Sequence, residues 1–68
     1  MLKQLNKIDI FKLIKQRATR LYDNDTAHYI TTMARDFLSK RHSDMHAIVL
    51  SGLKNSDLIT YKCFMLLK

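Results

Sequence analysis

The sequence predicts an all-α protein, a compact bundle of three to four short helices. Three observations carry this expectation. Apolar residues recur at three- and four-residue spacing along most of the chain. Clusters of Asp, Asn, Ser and Thr punctuate it at intervals of about one helix length. With no proline and a single glycine, Gly52, the breaks must lie in that capping chemistry.

Asn6, with Asp9 three residues on, resembles a capping box in which Asp replaces the usual Glu. Ile10, Phe11, Ile14, Ala18, Leu21 and Tyr22 then form one stripe at about 100° per residue. Lys12, Lys15, Gln16, Thr19 and Arg20 form the other side. A first helix is expected over residues 5–22, reaching Leu2 if it extends backwards. The run Asp23-Asn24-Asp25-Thr26 stops that helix and starts another.

The second helix, over about 26–40, is expected to bury Ala27, Tyr29, Ile30, Met33, Ala34, Phe37 and Leu38. His28, Thr31, Thr32, Arg35, Asp36 and Ser39 should face out. Asp36 precedes Lys40 by four positions, the favourable order. Lys40, Arg41 and His42 close the helix where positive charge suits its dipole. Ser43 with Asp44 caps a third, shorter helix from Met45 to Leu50, with Gly52 as its stop. Asn55-Ser56-Asp57 caps a fourth segment, Leu58 to Leu67, which is apolar nearly all round. Alternating Ile59, Tyr61, Cys63, Met65 and Leu67 would also suit a strand. Helix is preferred, because a lone strand would have nothing to pair with.

Residues 1–68 form one small helical domain, too short for a second. A chain of this length buries only about 60% of the surface its unfolded form exposes. A single cysteine, Cys63, excludes an internal disulfide, and no Cys cluster offers structural zinc. Self-association is the remaining support, so a homodimer is expected, with Leu58, Tyr61, Phe64, Met65 and Leu67 as its interface or as an anchor for another partner. Charges interrupt the N-terminal stretch every few residues, so no signal peptide is expected there. The longest apolar run, Phe64-Met65-Leu66-Leu67, falls far short of the ~20 residues of a membrane span. A lone thiol fits a reducing compartment, and a cytoplasmic location is expected.

Charge is the most informative functional feature. All six acids are aspartates, and Lys and Arg number 12, for a net charge of +6. The aspartates sit mainly where helices begin, so the long faces carry almost only cations. Lys7, Lys12, Lys15, Arg17 and Arg20 would supply most of an anion-binding surface, with Arg35, Lys40 and Arg41 extending it. The leading expectation is a regulatory or architectural module that contacts nucleic acid phosphates, duplex DNA ahead of RNA. The alternative is a helical inhibitor or adaptor docking on an acidic protein, with the apolar C-terminal segment as anchor. A basic amphipathic helix lying on an anionic membrane is a weaker third reading.

Other constellations carry less. A helix-turn-helix can be drawn with Met45–Leu50 as scaffold, Gly52-Leu53-Lys54 as turn and Ser56 onward as recognition helix. Ile48 then occupies a position that prefers a small residue, and the recognition helix has no wet face; a plain helical hairpin fits better. His42 and His46 stand four apart, with His28 and Cys63 as further conceivable ligands, but a helix start falls between the pair, so no metal site is expected. Asp23-Asn24-Asp25 opens like a calcium loop, yet His28 and Ala34 replace the required Gly and Glu. Ser43, Asp44 and His46 crowd one helix cap and cannot aim at one another as a triad does. No catalytic residue and no cofactor is expected, and the protein is read as a non-enzyme.

Overall fold

The computed structural model describes residues 6–68, and the backward extension of the first helix to Leu2 lies outside them. Four helices follow one another: α1 (Lys7–Leu21), α2 (Asn24–Leu38), α3 (Asp44–Ser56) and α4 (Leu58–Leu67). Among the described residues there is no strand, and the segment 58–67 is helical.

Capping decides each start. Asn6 accepts a hydrogen bond from the Asp9 N–H at 2.8 Å, and Asp23 accepts from the Thr26 N–H at 2.8 Å. Ser43 accepts from the His46 N–H at 3.4 Å, and Asp57 Oδ1 from the Thr60 N–H at 3.3 Å. Each bond satisfies a backbone donor that the first helical turn leaves without a partner. Asp25 and Asp44 lie in first turns, where negative charge complements the dipole.

α1 packs against both α2 and α4, and α3 packs chiefly on α4. The core is built from Ile10, Ile14 and Ala18 of α1, Ala27, Ile30, Met33, Ala34 and Phe37 of α2, Leu53 of α3, and Phe64 and Leu67 of α4. Phe37 meets Phe64 edge to face, with ring centroids 5.2 Å apart.

Several local expectations are corrected. Gly52 does not stop α3: it is helical, and the helix runs to Ser56, ending where the Asp57 backbone leaves the helical region at φ −149°, ψ 74°. The drawn helix-turn-helix turn, Gly52-Leu53-Lys54, is therefore inside a helix. α2 ends at Leu38 rather than 40, in a Schellman arrangement. The Lys40 N–H donates to the Phe37 carbonyl at 3.1 Å and the Arg41 N–H to the Asp36 carbonyl at 2.8 Å. Lys40 itself is left-handed, at φ 61°. Tyr29 is exposed, not buried, and Thr31 is buried, not outward.

Candidate functional site

Cations of α1 and α2 line two adjoining surfaces. Lys12, Lys15, Gln16, Thr19 and Arg20 line a shallow surface along the outer face of α1. A neighbouring groove between α1 and α2 is lined by Lys15, Thr19, Asn24, Ala27, His28, Thr31 and Arg35. Lys15 thus belongs to both surfaces and joins them. The Arg35 guanidinium lies over the Phe11 ring, 5.7 Å from its centroid, which fixes that charge at the groove. At the other end of α1, Lys7 faces Lys40 across the helix pair. Contact with the Lys40 ammonium and its charge hold the Lys7 amine below the usual lysine range. Arg41 is exposed and follows Lys40 directly.

No carboxylate lies within 4.0 Å of Lys7, Lys12, Lys15, Arg20, Arg35, Lys40 or Arg41 among the described residues. Seven of the eight expected cations therefore present bare charge to solvent.

The eighth does not. Arg17 turns inward, where its Nη2 donates to Asp57 Oδ1 at 3.0 Å and its Nε donates to the same oxygen at 3.2 Å. Nε also reaches Thr60 Oγ1 at 3.1 Å. The Tyr22 hydroxyl and the Thr60 hydroxyl donate to Asp57 Oδ2 at 2.6 and 2.7 Å. Burial opposes ionisation of Asp57, but the bonds from Tyr22, Thr60 and Arg17 outweigh it and bring the carboxyl down to about 2. Burial, then the hydrogen bond to Asp57 and its negative charge, push the Tyr22 phenol up to about 12. Arg17 is thus a structural residue tying α1 to the α3–α4 junction. Sequence reasoning missed this cluster. The available signal was angular: Arg17 falls within the arc defined by Ile10, Leu13 and Leu21, not on the side of Lys12 and Lys15.

The expected apolar interface also divides. Phe64 and Leu67 are fully buried in the chain's own core and cannot serve a partner in this fold. Tyr61 and Met65 are half-buried, and Leu58 is exposed. Leu58 and its neighbour Ile59 border hollows shared with Leu13 and Leu21 of α1, beside Arg17 and Arg20. Cys63 lines one of these hollows; burial pushes its thiol up, away from the reactive thiolate. Among the described residues no three His, Cys, Asp or Glu side chains converge to hold a metal, and no helix is long and apolar enough to cross a membrane. His46 bridges to Asp36 at 3.4 Å and lies against Phe37, linking α3 to α2.

No protein-family model matches the chain, and neither a curated protein nor a solved structure matches it.

Proposed function

We propose that the protein is a small regulatory or architectural module that binds duplex DNA through phosphate contacts. One observation carries this reading: Lys12, Lys15, Arg20 and Arg35 line two adjoining surfaces along α1 and the α1–α2 groove, and among the described residues no carboxylate lies within 4.0 Å of any of them. Like charges held this close repel, and a polyanion relieves that repulsion while releasing its own counterions. Lys12, Lys15 and Arg20 would track one strand, and Lys15, Arg35, Thr19 and His28 would receive a phosphate in the groove. Such contacts fix position and carry little sequence information.

Fluorescence anisotropy of a labelled random duplex at two salt concentrations tests the reading. Binding should weaken steeply with salt. Replacing Lys12, Lys15 and Arg20 by Gln should weaken it similarly on all sequences. The same change should flatten the salt slope by about 0.9 for each phosphate no longer neutralised. Unchanged affinity in the triple variant would sink the assignment.

A second reading, docking on an acidic protein, draws support from the exposed Leu13, Leu21, Leu58 and Ile59 beside Arg20. It predicts that Leu58→Ser with Ile59→Ser abolishes capture of the partner and leaves DNA affinity unaltered.

A further inference from the structure

The groove between α1 and α2 contains one side chain whose charge depends on pH near neutrality. Its floor is made by Ala27 and Thr31, both buried and one turn apart on α2. Lys15 and Thr19 line it from α1, and His28 and Arg35 stand exposed on the α2 side. About 270 Å³ lies between them, and neither Asp nor Glu lines the space. The adjoining outer face of α1 has no histidine.

The other two histidines are engaged elsewhere. His46 bridges to Asp36 at 3.4 Å, and the His42 ring meets Phe37 edge to face with centroids 5.0 Å apart. The charged groups that share the groove with His28 are Lys15 from α1 and Arg35 from its own helix. Asp25, one turn earlier on α2, neither lines the groove nor pairs with His28.

A phosphate oxygen accepts hydrogen bonds and offers none, so an imidazole meets it only through an N–H. The neutral ring has one N–H and one lone pair, whereas the protonated ring has two N–H donors and a positive charge. Protonation therefore adds a third cation beside Lys15 and Arg35. Histidines change charge between about pH 5 and 8, an interval in which lysine and arginine keep theirs.

We propose that His28 makes phosphate binding in the α1–α2 groove proton-dependent. The groove takes a phosphate group best with His28 protonated, and binding draws that proton from solution. The proposal rests on the DNA-binding reading for the identity of the ligand and not for the coupling.

Anisotropy of the labelled random duplex at about pH 8 and about pH 5.5, in about 0.1 M salt, tests it. The lower pH stays above the range in which Asp57 is protonated. One further neutralised phosphate steepens the salt slope by about 0.9 and, at that salt, tightens binding roughly eightfold. The wild type should show both changes on acidification. His28→Gln should abolish both while binding as the wild type does at the higher pH, and His42→Gln should retain them. Equal affinity of the wild type at the two pH values overturns the proposal, as does full retention of the change in His28→Gln.

A second measurement separates the coupling from the DNA reading. Sulfate is tetrahedral and stays a dianion across this interval. In nuclear magnetic resonance titrations at matched ionic strength, replacing chloride by sulfate should move the His28 midpoint to higher pH and leave that of His42 in place. A His28 midpoint indifferent to sulfate overturns the proposal. If the duplex binds at neither pH, the DNA reading falls and the sulfate titration alone decides the groove.

Discussion

Arg17 and Asp57, forty residues apart in sequence, meet through two N–H···O bonds onto one carboxylate oxygen. Tyr22 and Thr60 occupy the other oxygen, and the Thr60 N–H completes the set. Asp57 is also the single residue between α3 and α4, and its own N–H donates to the Leu53 carbonyl at 2.7 Å. One residue therefore closes α3 with its backbone N–H, and its side chain opens α4 and binds the junction to α1. In a fold with so small a core, that junction fixes the relative placement of three of the four helices.

Removing the carboxylate leaves the Arg17 guanidinium partly buried without its counter-charge. Breaking one partner of a buried pair typically costs about 3–5 kcal/mol. Asp57→Ala should lower stability by that order and Asp57→Asn by somewhat less, since Asn can still cap α4. Chemical denaturation checks this. A loss under about 1 kcal/mol would mean that the pair behaves as an exposed one.

Arg17 and Lys15 are both cations of α1, yet their substitutions should separate cleanly. Arg17→Gln should destabilise the fold and leave the salt slope of DNA binding nearly intact. Lys15→Gln should leave the melting temperature nearly intact and flatten the slope. Thermal unfolding and a salt-dependent titration on both variants provide the comparison. The opposite pattern would return Arg17 to the binding surface.

Phe64 and Leu67 line the core, whereas Leu58 stands in water. Phe64→Ala should cost about 3–5 kcal/mol and Leu67→Ala about 2–5. Leu58→Ser should change stability by no more than about 0.5 kcal/mol. Urea midpoints for the three variants would expose any error in this ordering.

The helix count and the capping residues were legible because period and cap chemistry are local properties. Asn6, Asp23, Ser43 and Asp57 each begin a helix as their residue types foretell. The failures share one cause, tertiary context overriding a local preference. Gly52 suggested a helix stop because glycine tolerates left-handed backbone, but that backbone occurs at Lys40, and Gly52 stays helical. Phe64 and Leu67 suggested an interface because α4 is apolar all round; α1 and α2 cover one side of it, and Ile59 and Leu66 remain outside. The cationic surface was legible residue by residue, except where Asp57 draws Arg17 away.

Lys40 bears a conformational cost that glycine would not. A left-handed L-residue is disfavoured by roughly 1–2 kcal/mol, partly offset because glycine loses more freedom on folding. Lys40→Gly should therefore stabilise the protein by about 0.5–1 kcal/mol, while removing a cation and weakening DNA binding. Gain of stability with loss of affinity, measured on one variant, separates the two roles of this position.

Asp57 and Tyr22 also set the pH limits of the fold. Asp57 titrates near 2 when folded, against 3.8 for an unperturbed aspartate. Its contribution is complete above about pH 4 and is lost as pH falls from there through 2. Nearly two pH units correspond to about 2 kcal/mol. Tyr22 is shifted the other way, from 10.0 to about 12, so the folded state favours its neutral phenol. That contribution is complete below pH 10 and is lost as pH rises from 10 through 12. Tyr22→Phe removes the alkaline loss outright. It also takes one hydrogen bond from Asp57, which raises the carboxyl and moves the acid limb to higher pH. Urea midpoints measured from pH 2 to 11 on both proteins test the linkage. An acid limb unmoved by Tyr22→Phe would show that the hydroxyl contributes nothing to holding the carboxylate ionised.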